Sequence, residues 1–253
     1  STASSDTTGA VAQAIITEAT ISPTGFCPST APVRAFDVTA ITAQQGLPGG
    51  TLVYNPRPSN GGPLNDPTAI LYVRTSDLDS LGKLKPGVPI EPLILRANAG
   101  DCITLRLNNR LPAIAPDLAG FNTLPMIVER FNANQVRPSS NVGLHPQLLT
   151  FDVIANDGAN VGFNKVQTAA PGGSVTYKWY AGDFKVDLFG KRFSIPTEFG
   201  ATNLISSDRI KHGNKGAIGA LIIEPRGSMW SEDVKSRASA TVTPPSGGAF
   251  REF

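Results

Sequence analysis

Apolar and polar positions alternate with a period of two in several short runs of this chain, separated by stretches rich in Gly and Pro. Residues 33–42, VRAFDVTAIT, alternate clearly and predict the first strong strand. AILYVRTSDLDSL predicts a strand followed by one helical turn. In PLILRANAGDCITLRLNNRLP, residues 93–97 and 102–108 flank Asn98-Ala99-Gly100-Asp101 and read as a hairpin. Leu105 and Leu107 alternate with Thr104, Arg106 and Asn108, so one face is dry and the other wet. Pro112 stops that run because it has no N–H for a ladder. Residues 148–154 read as a further strand, then GGSVTYKWYAG with Val175, Tyr177 and Trp179 on one face, and finally GAIGALIIEP at 216–225. Trp179 and Tyr180 read as core and sheet packing.

About eight strands joined by long polar connections predict an all-β Greek-key sandwich. The 25 Gly and 21 Pro among 253 residues punctuate short strands and argue against long helices. Residues 43–67 read as a long surface excursion, the kind of loop that carries an interface or a function. Small polar residues dominate 1–25, which read as an N-terminal arm. Residues 26–226 read as the folded domain and 227–253 as a linker or tail.

Charge narrows the field. With 22 basic and 20 acidic residues the net charge is +2 and no basic stripe is visible, so nucleic acid is not an expected partner. No run of eighteen apolar residues predicts a membrane span. The opening STASSDTTGA has neither Met nor a leader, which fits a processed exported protein or a chosen boundary equally. Secretion, the periplasm or the cell surface is the expected location. Cys27 and Cys102 match no metal-binding spacing. They read as a disulfide closing a loop of roughly 75 residues, worth on the order of 4 kcal/mol, or else as two buried thiols.

Four segments resemble multicopper oxidases. PLILRANAGDCITLRLNNRLP is similar to a hairpin of their cupredoxin domains, which reads apolar strand, N-x-G-D, apolar strand, N-x-L-P. LLTFDVIANDGANVGFN resembles the stretch after their first pair of copper ligands. PGGSVTYKWYAG resembles the strand before the second pair, and GAIGALIIEP the closing strand. The order is the family's, and the flavour is that of large multi-domain bacterial members of the manganese-oxidase type. The resemblance implies a cupredoxin-like sandwich and, for a full assembly, copper-dependent oxidation of a substrate coupled to reduction of O2. Such enzymes hold a type 1 copper on two His and one Cys, and a trinuclear cluster on eight His in H-x-H pairs. Imidazole and thiolate suit copper.

This chain lacks most of that set, having only two histidines. Where the family has H-x-H, it reads His145-Pro146-Gln147, so one ligand position holds an amide. Residues 198–206, where the second pair falls, contain no His. His212 precedes the closing strand between Lys211 and Lys215 and reads as a solvated loop residue; some members carry a ligand on that loop. Cys102 has no adjacent His, so the H-C-H motif is missing. A single blue-copper site would need Cys, two His and a Met such as Met126 or Met229. His145 reads as a hydrogen-bonded edge histidine, or as one ligand lent to a site completed by another chain. Asp152, Asp157 and Asn160 read as turn chemistry or a cation cluster.

The expectation is a cupredoxin-like domain or subunit of an exported multicopper oxidase, itself a scaffold with degenerate copper positions at His145 and His212. Its partners would be other cupredoxin domains or identical subunits. Copper belongs to the full assembly in this reading, and no catalytic residue is assigned. The alternatives are a non-enzymatic secreted sandwich that self-assembles as a building block, and a mononuclear copper electron carrier.

Overall fold

A computed structural model describes residues 26–118, 137–159 and 163–252, together with short strands at Thr17–Glu18, Ile127–Val128 and Phe131–Asn132. The remainder of the N-terminal arm, Met126 and Asn160 lie outside the described residues. Eight strands build the body: β1 (Val33–Thr42), β2 (Ile70–Arg74), β3 (Leu93–Asn98), β4 (Cys102–Asn109), β5 (Leu144–Pro146), β6 (Ser174–Tyr180), β7 (Gly200–Ser206) and β8 (Ile218–Glu224). They form two four-stranded sheets, ordered β6-β4-β1-β2 and β5-β7-β8-β3. Each sheet contains one parallel pair, β1 with β4 and β8 with β3, among otherwise antiparallel neighbours. The expected all-β sandwich with long loops is therefore what the chain forms.

The core follows from the alternation. Val38 and Ala40 of β1, Leu105 and Leu107 of β4, and Tyr177 and Trp179 of β6 face Leu93 and Leu95 of β3, Leu204 of β7 and Leu221 of β8. Tyr177 and Trp179 stack at 5.6 Å between ring centroids. A second apolar cluster, including Ile41, Leu47, Leu71, Val73, Leu78 and Leu84, lies beside the first. Part of the 43–67 excursion supplies it: Ala43–Gly46 forms a helical turn capped by Thr42, and Leu52–Asn55 pairs with Leu64–Asp66. That segment is thus partly a core element.

Three expectations change. Residues 93–98 and 102–109 do not pair as a hairpin; β3 and β4 lie in opposite sheets. Gly100, at φ 88°, turns the chain from one sheet to the other. Asp101 fixes the corner by accepting from the Asn98 N–H, while the Ala99 and Gly100 amides donate to Glu224 and Ala181. Alternation cannot distinguish the two arrangements, because either buries one face of each strand.

The strand near His145 is β5, and no strand covers 148–154. Leu148 takes a left-handed φ of 62° and ends the run. Asp152 then nucleates a turn, accepting from the Ile154 N–H on its side chain and from the Ala155 and Asn156 amides on its carbonyl. This part of the polar cluster is turn chemistry.

Residues 227–253 contain a three-stranded antiparallel sheet of β9 (Met229–Glu232), β10 (Ala240–Thr243) and β11 (Phe250–Glu252). Arginines hold it to the sandwich. Arg74 donates to both oxygens of Glu232 at 2.5 and 2.7 Å, Arg96 reaches Glu252 at 2.6 Å, and Arg237 reaches back to both oxygens of Asp77 at 2.5 and 2.8 Å. Ala240 and Val242 are its buried apolar residues.

Candidate functional site

Two acceptors meet His145 on the edge strand β5: the Asp157 carbonyl oxygen lies 2.8 Å from Nδ1, and Asp157 Oδ1 lies 3.1 Å away. Both partners accept, so Nδ1 carries a proton, and Nε2 makes no hydrogen bond. Phe151 packs edge-on against the imidazole at 6.0 Å. A ring fixed through one nitrogen with the other nitrogen open has the orientation of a metal-ligating histidine.

Asp157 is placed by a residue that the sequence did not single out. Buried Gln167 accepts from the Asp157 and Gly158 amides and donates to the Val153 and Ile154 carbonyls, knitting the loop together. Gly158, at φ 80°, lies so close to β5 that a Cβ there would overlap the Leu144 carbonyl oxygen. The N-D-G spelling signalled the turn, while nothing local marked Gln167 as its organiser. Gln147 lies exposed just beyond β5, with its carbonyl accepting from Thr202 Oγ1. Leu148, Val153 and Ile154 are exposed nearby.

His212 is not a solvated residue; its exposure is 0%. Its Nε2 lies 2.7 Å from the Ser139 carbonyl and must donate, so Nδ1 accepts from Ser206 Oγ at 2.8 Å. Tyr72 adds its hydroxyl 2.9 Å from Ser206 Oγ and the same distance from the Gly143 carbonyl. Burial pulls the imidazole pKa below its usual value and Lys215 adds to that, against the opposing effects of Asp208 and the Ser139 carbonyl. The order Ser206, His212, Asp208 resembles a nucleophile–base–carboxylate line, with Asp208 3.7 Å from Nε2. Ser206, however, is buried and already bonded to Tyr72, so it presents no nucleophile to a substrate.

The flanking lysines are buried as well. Lys215 Nζ reaches Thr68 at 2.6 Å and Asp117 at 3.1 Å, and Lys211 Nζ reaches Asp117 at 3.4 Å. Burial pushes the Asp117 carboxyl up, but the Lys215 hydrogen bond and charge, the Leu118 amide and Lys211 together leave it below the usual range.

The thiol donors are committed. Cys27 and Cys102 form a disulfide, covered by Tyr180 and Phe184. Met229 is exposed on β9. Among the described residues, no group of three His, Cys, Asp or Glu side chains could hold a metal ion. A type 1 copper needs a thiolate and two imidazoles. Here the thiolates are oxidised and His212 has both nitrogens engaged, so the residues present fit neither that centre nor a trinuclear one.

No protein-family model matches the sequence, and no curated protein matches it. The chain is similar to several solved structures, all at low identity. A multi-copper oxidase from Pseudomonas Thermotolerans shares 13% identity at a TM-score of 0.41, over 78% of this chain and 31% of that one. A copper nitrite reductase from Nitrosomonas europaea shares 12% at 0.40, over 77% and 42%. A laccase from Botrytis aclada shares 16% at 0.38, over 77% and 23%. The chain thus spans less than half the length of each, and likeness at this level assigns no activity.

Proposed function

We propose that this chain is a cupredoxin-like scaffold domain of an exported protein of the multicopper-oxidase type, one that carries no copper centre of its own. The supporting observation is the donor inventory: one imidazole with a free nitrogen, one sealed imidazole and two oxidised cysteines. Within that reading, His145 is the ligand the chain can lend to a site completed by a neighbouring cupredoxin domain or identical subunit. The manganese-oxidase flavour rests on the sequence motifs alone, and the disulfide is in keeping with an oxidising compartment.

Elemental analysis and EPR of the isolated chain after copper loading test the proposal. The expected result is no stoichiometric copper and no blue absorption. Any weak uptake should be lost in His145→Ala and kept in His212→Gln. A stoichiometric, EPR-visible copper in the isolated chain would overturn it.

One observation favours a self-assembling building block as a second reading. The hairpin of Gly182–Val186 and Arg192–Pro196 ends in Leu188 and Phe189, which are 101% and 94% exposed. Asp187 Oδ1 holds that tip rigid by accepting from the Phe189 and Lys191 amides. Native mass spectrometry separates the readings: concentration-dependent oligomers abolished by Phe189→Ser support the second, and a strict monomer removes it.

A further inference from the structure

Where the C-terminal sheet meets the sandwich, Arg34, Phe36, Arg74, Arg96, Trp230 and Glu232 line a pocket of about 290 Å³. Its three arginines are not equivalent. Arg74 gives both Nη groups to Glu232, and Arg96 gives its own to Glu224, Glu252 and the Ala238 carbonyl. Arg34 instead places its guanidinium carbon over the Trp230 ring, 4.7 Å from the ring centroid. Its nearest carboxylate, Asp101, is 3.9 Å away, beyond hydrogen-bond reach. The pocket therefore holds one guanidinium whose charge has no hydrogen-bonded counterpart. A guanidinium presents its N–H groups as a fork that matches a carboxylate in shape.

A second observation concerns the wall. Arg74 and Arg96 each keep an Nε–H buried without an acceptor. Native folds usually answer such groups with a water, ion or ligand. The remaining walls, Phe36 and Trp230, are flat and aromatic.

We propose that this pocket binds a flat monocarboxylate, its carboxylate on the Arg34 fork and its apolar body against Phe36 and Trp230. A single negative charge matches Arg34, which pairs with Asp101 only at 3.9 Å, whereas Arg74 and Arg96 are hydrogen-bonded to carboxylates. The site is separate from His145 and independent of the scaffold reading.

Benzoate titrated into the intact chain, followed by NMR of the arginine Nε–H signals and of the Trp230 indole, tests the idea. The expected result is saturable shifts in the Arg34, Arg74 and Trp230 signals. Benzamide, of the same shape without charge, should not bind, and acetate should bind more weakly than benzoate. Arg34→Gln should weaken benzoate by about tenfold or more. Arg34→Lys, which keeps the charge and loses the fork, should weaken it too, and an unchanged near-UV CD spectrum verifies both folds. Absence of saturable shifts, benzamide binding as well as benzoate, tighter binding of phosphate than of benzoate, or full affinity in Arg34→Gln would each overturn the proposal.

Discussion

A histidine with no exposed surface and both ring nitrogens engaged can take up a proton only by reversing a hydrogen bond that it accepts. At His212 the Ser206 hydroxyl would have to turn away from Nδ1, inside a region that already holds Lys211 and Lys215. The native imidazole pKa lies below its ordinary 6.5. Above that value both folded and unfolded states are neutral here, and below it the unfolded chain takes the proton first. Stability should therefore fall as pH drops from about 6.5 toward the native value, by at most about 1.4 kcal/mol per pH unit. Urea unfolding from pH 7.5 to 5 measures the slope, and His212→Gln should remove this histidine's share. Gly158 is the other decisive residue, needing both a positive φ and the absence of a Cβ. Gly158→Ala should cost about 3 kcal/mol through strain and overlap with β5, read as a lower urea midpoint. The two histidines were legible to different degrees. His145 was visible as an edge histidine, but its orienting partner lies twelve residues away through a folded loop. His212 was misjudged because Lys-His-Gly-Asn-Lys is locally polar, while Asp117 and Ser139, which make its burial and that of its lysines tolerable, are distant in sequence.

Among the elements, those with a clear hydrophobic pattern were legible: β1, β4 and β6 lie where the period of two placed them, and β8 lies in its apolar run. What alternation could not give was pairing. The Asn98–Asp101 corner passes between sheets because Ala99 and Gly100 bond to Glu224 and Ala181, strands that are remote in sequence. The C-terminal sheet was illegible for a related reason. Its strands are short, and ion pairs with Arg74, Arg96 and Asp77 anchor it more than an apolar stripe does. That attachment gives a direct expectation. Arg74→Ala should release Glu232 and speed amide exchange across Met229–Thr243 by about tenfold, leaving the β4 and β6 amides unchanged. Equal exchange in the variant and the parent would mean that the sheet is held by its packing.

At the scale of the whole molecule, the fold class was readable and the chemistry was readable mainly by subtraction. The chain supplies two histidines, and the disulfide and the sealed His212 use up donors that a copper site within it would need. The Arg34–Trp230 pocket left no mark in the sequence, since its lining comes from four separate strands. Replacing both Cys27 and Cys102 by Ala should lower the unfolding free energy by about 4 kcal/mol, measurable by urea titration.

The position of that bond also bears on how the chain finds its fold. Cys102 opens β4 and sits opposite Val33, at the first rung of a parallel pair whose partners are far apart along the sequence. Bringing such distant segments together is the slow part of assembling a sheet, because the loop must close before any contact rewards it. An oxidised chain starts with the two segments already held close, since Cys27 lies just ahead of β1. It should refold from urea faster than the reduced chain, with unfolding rates differing less than folding rates. In this sense the disulfide acts on the route to the sandwich as well as on its depth.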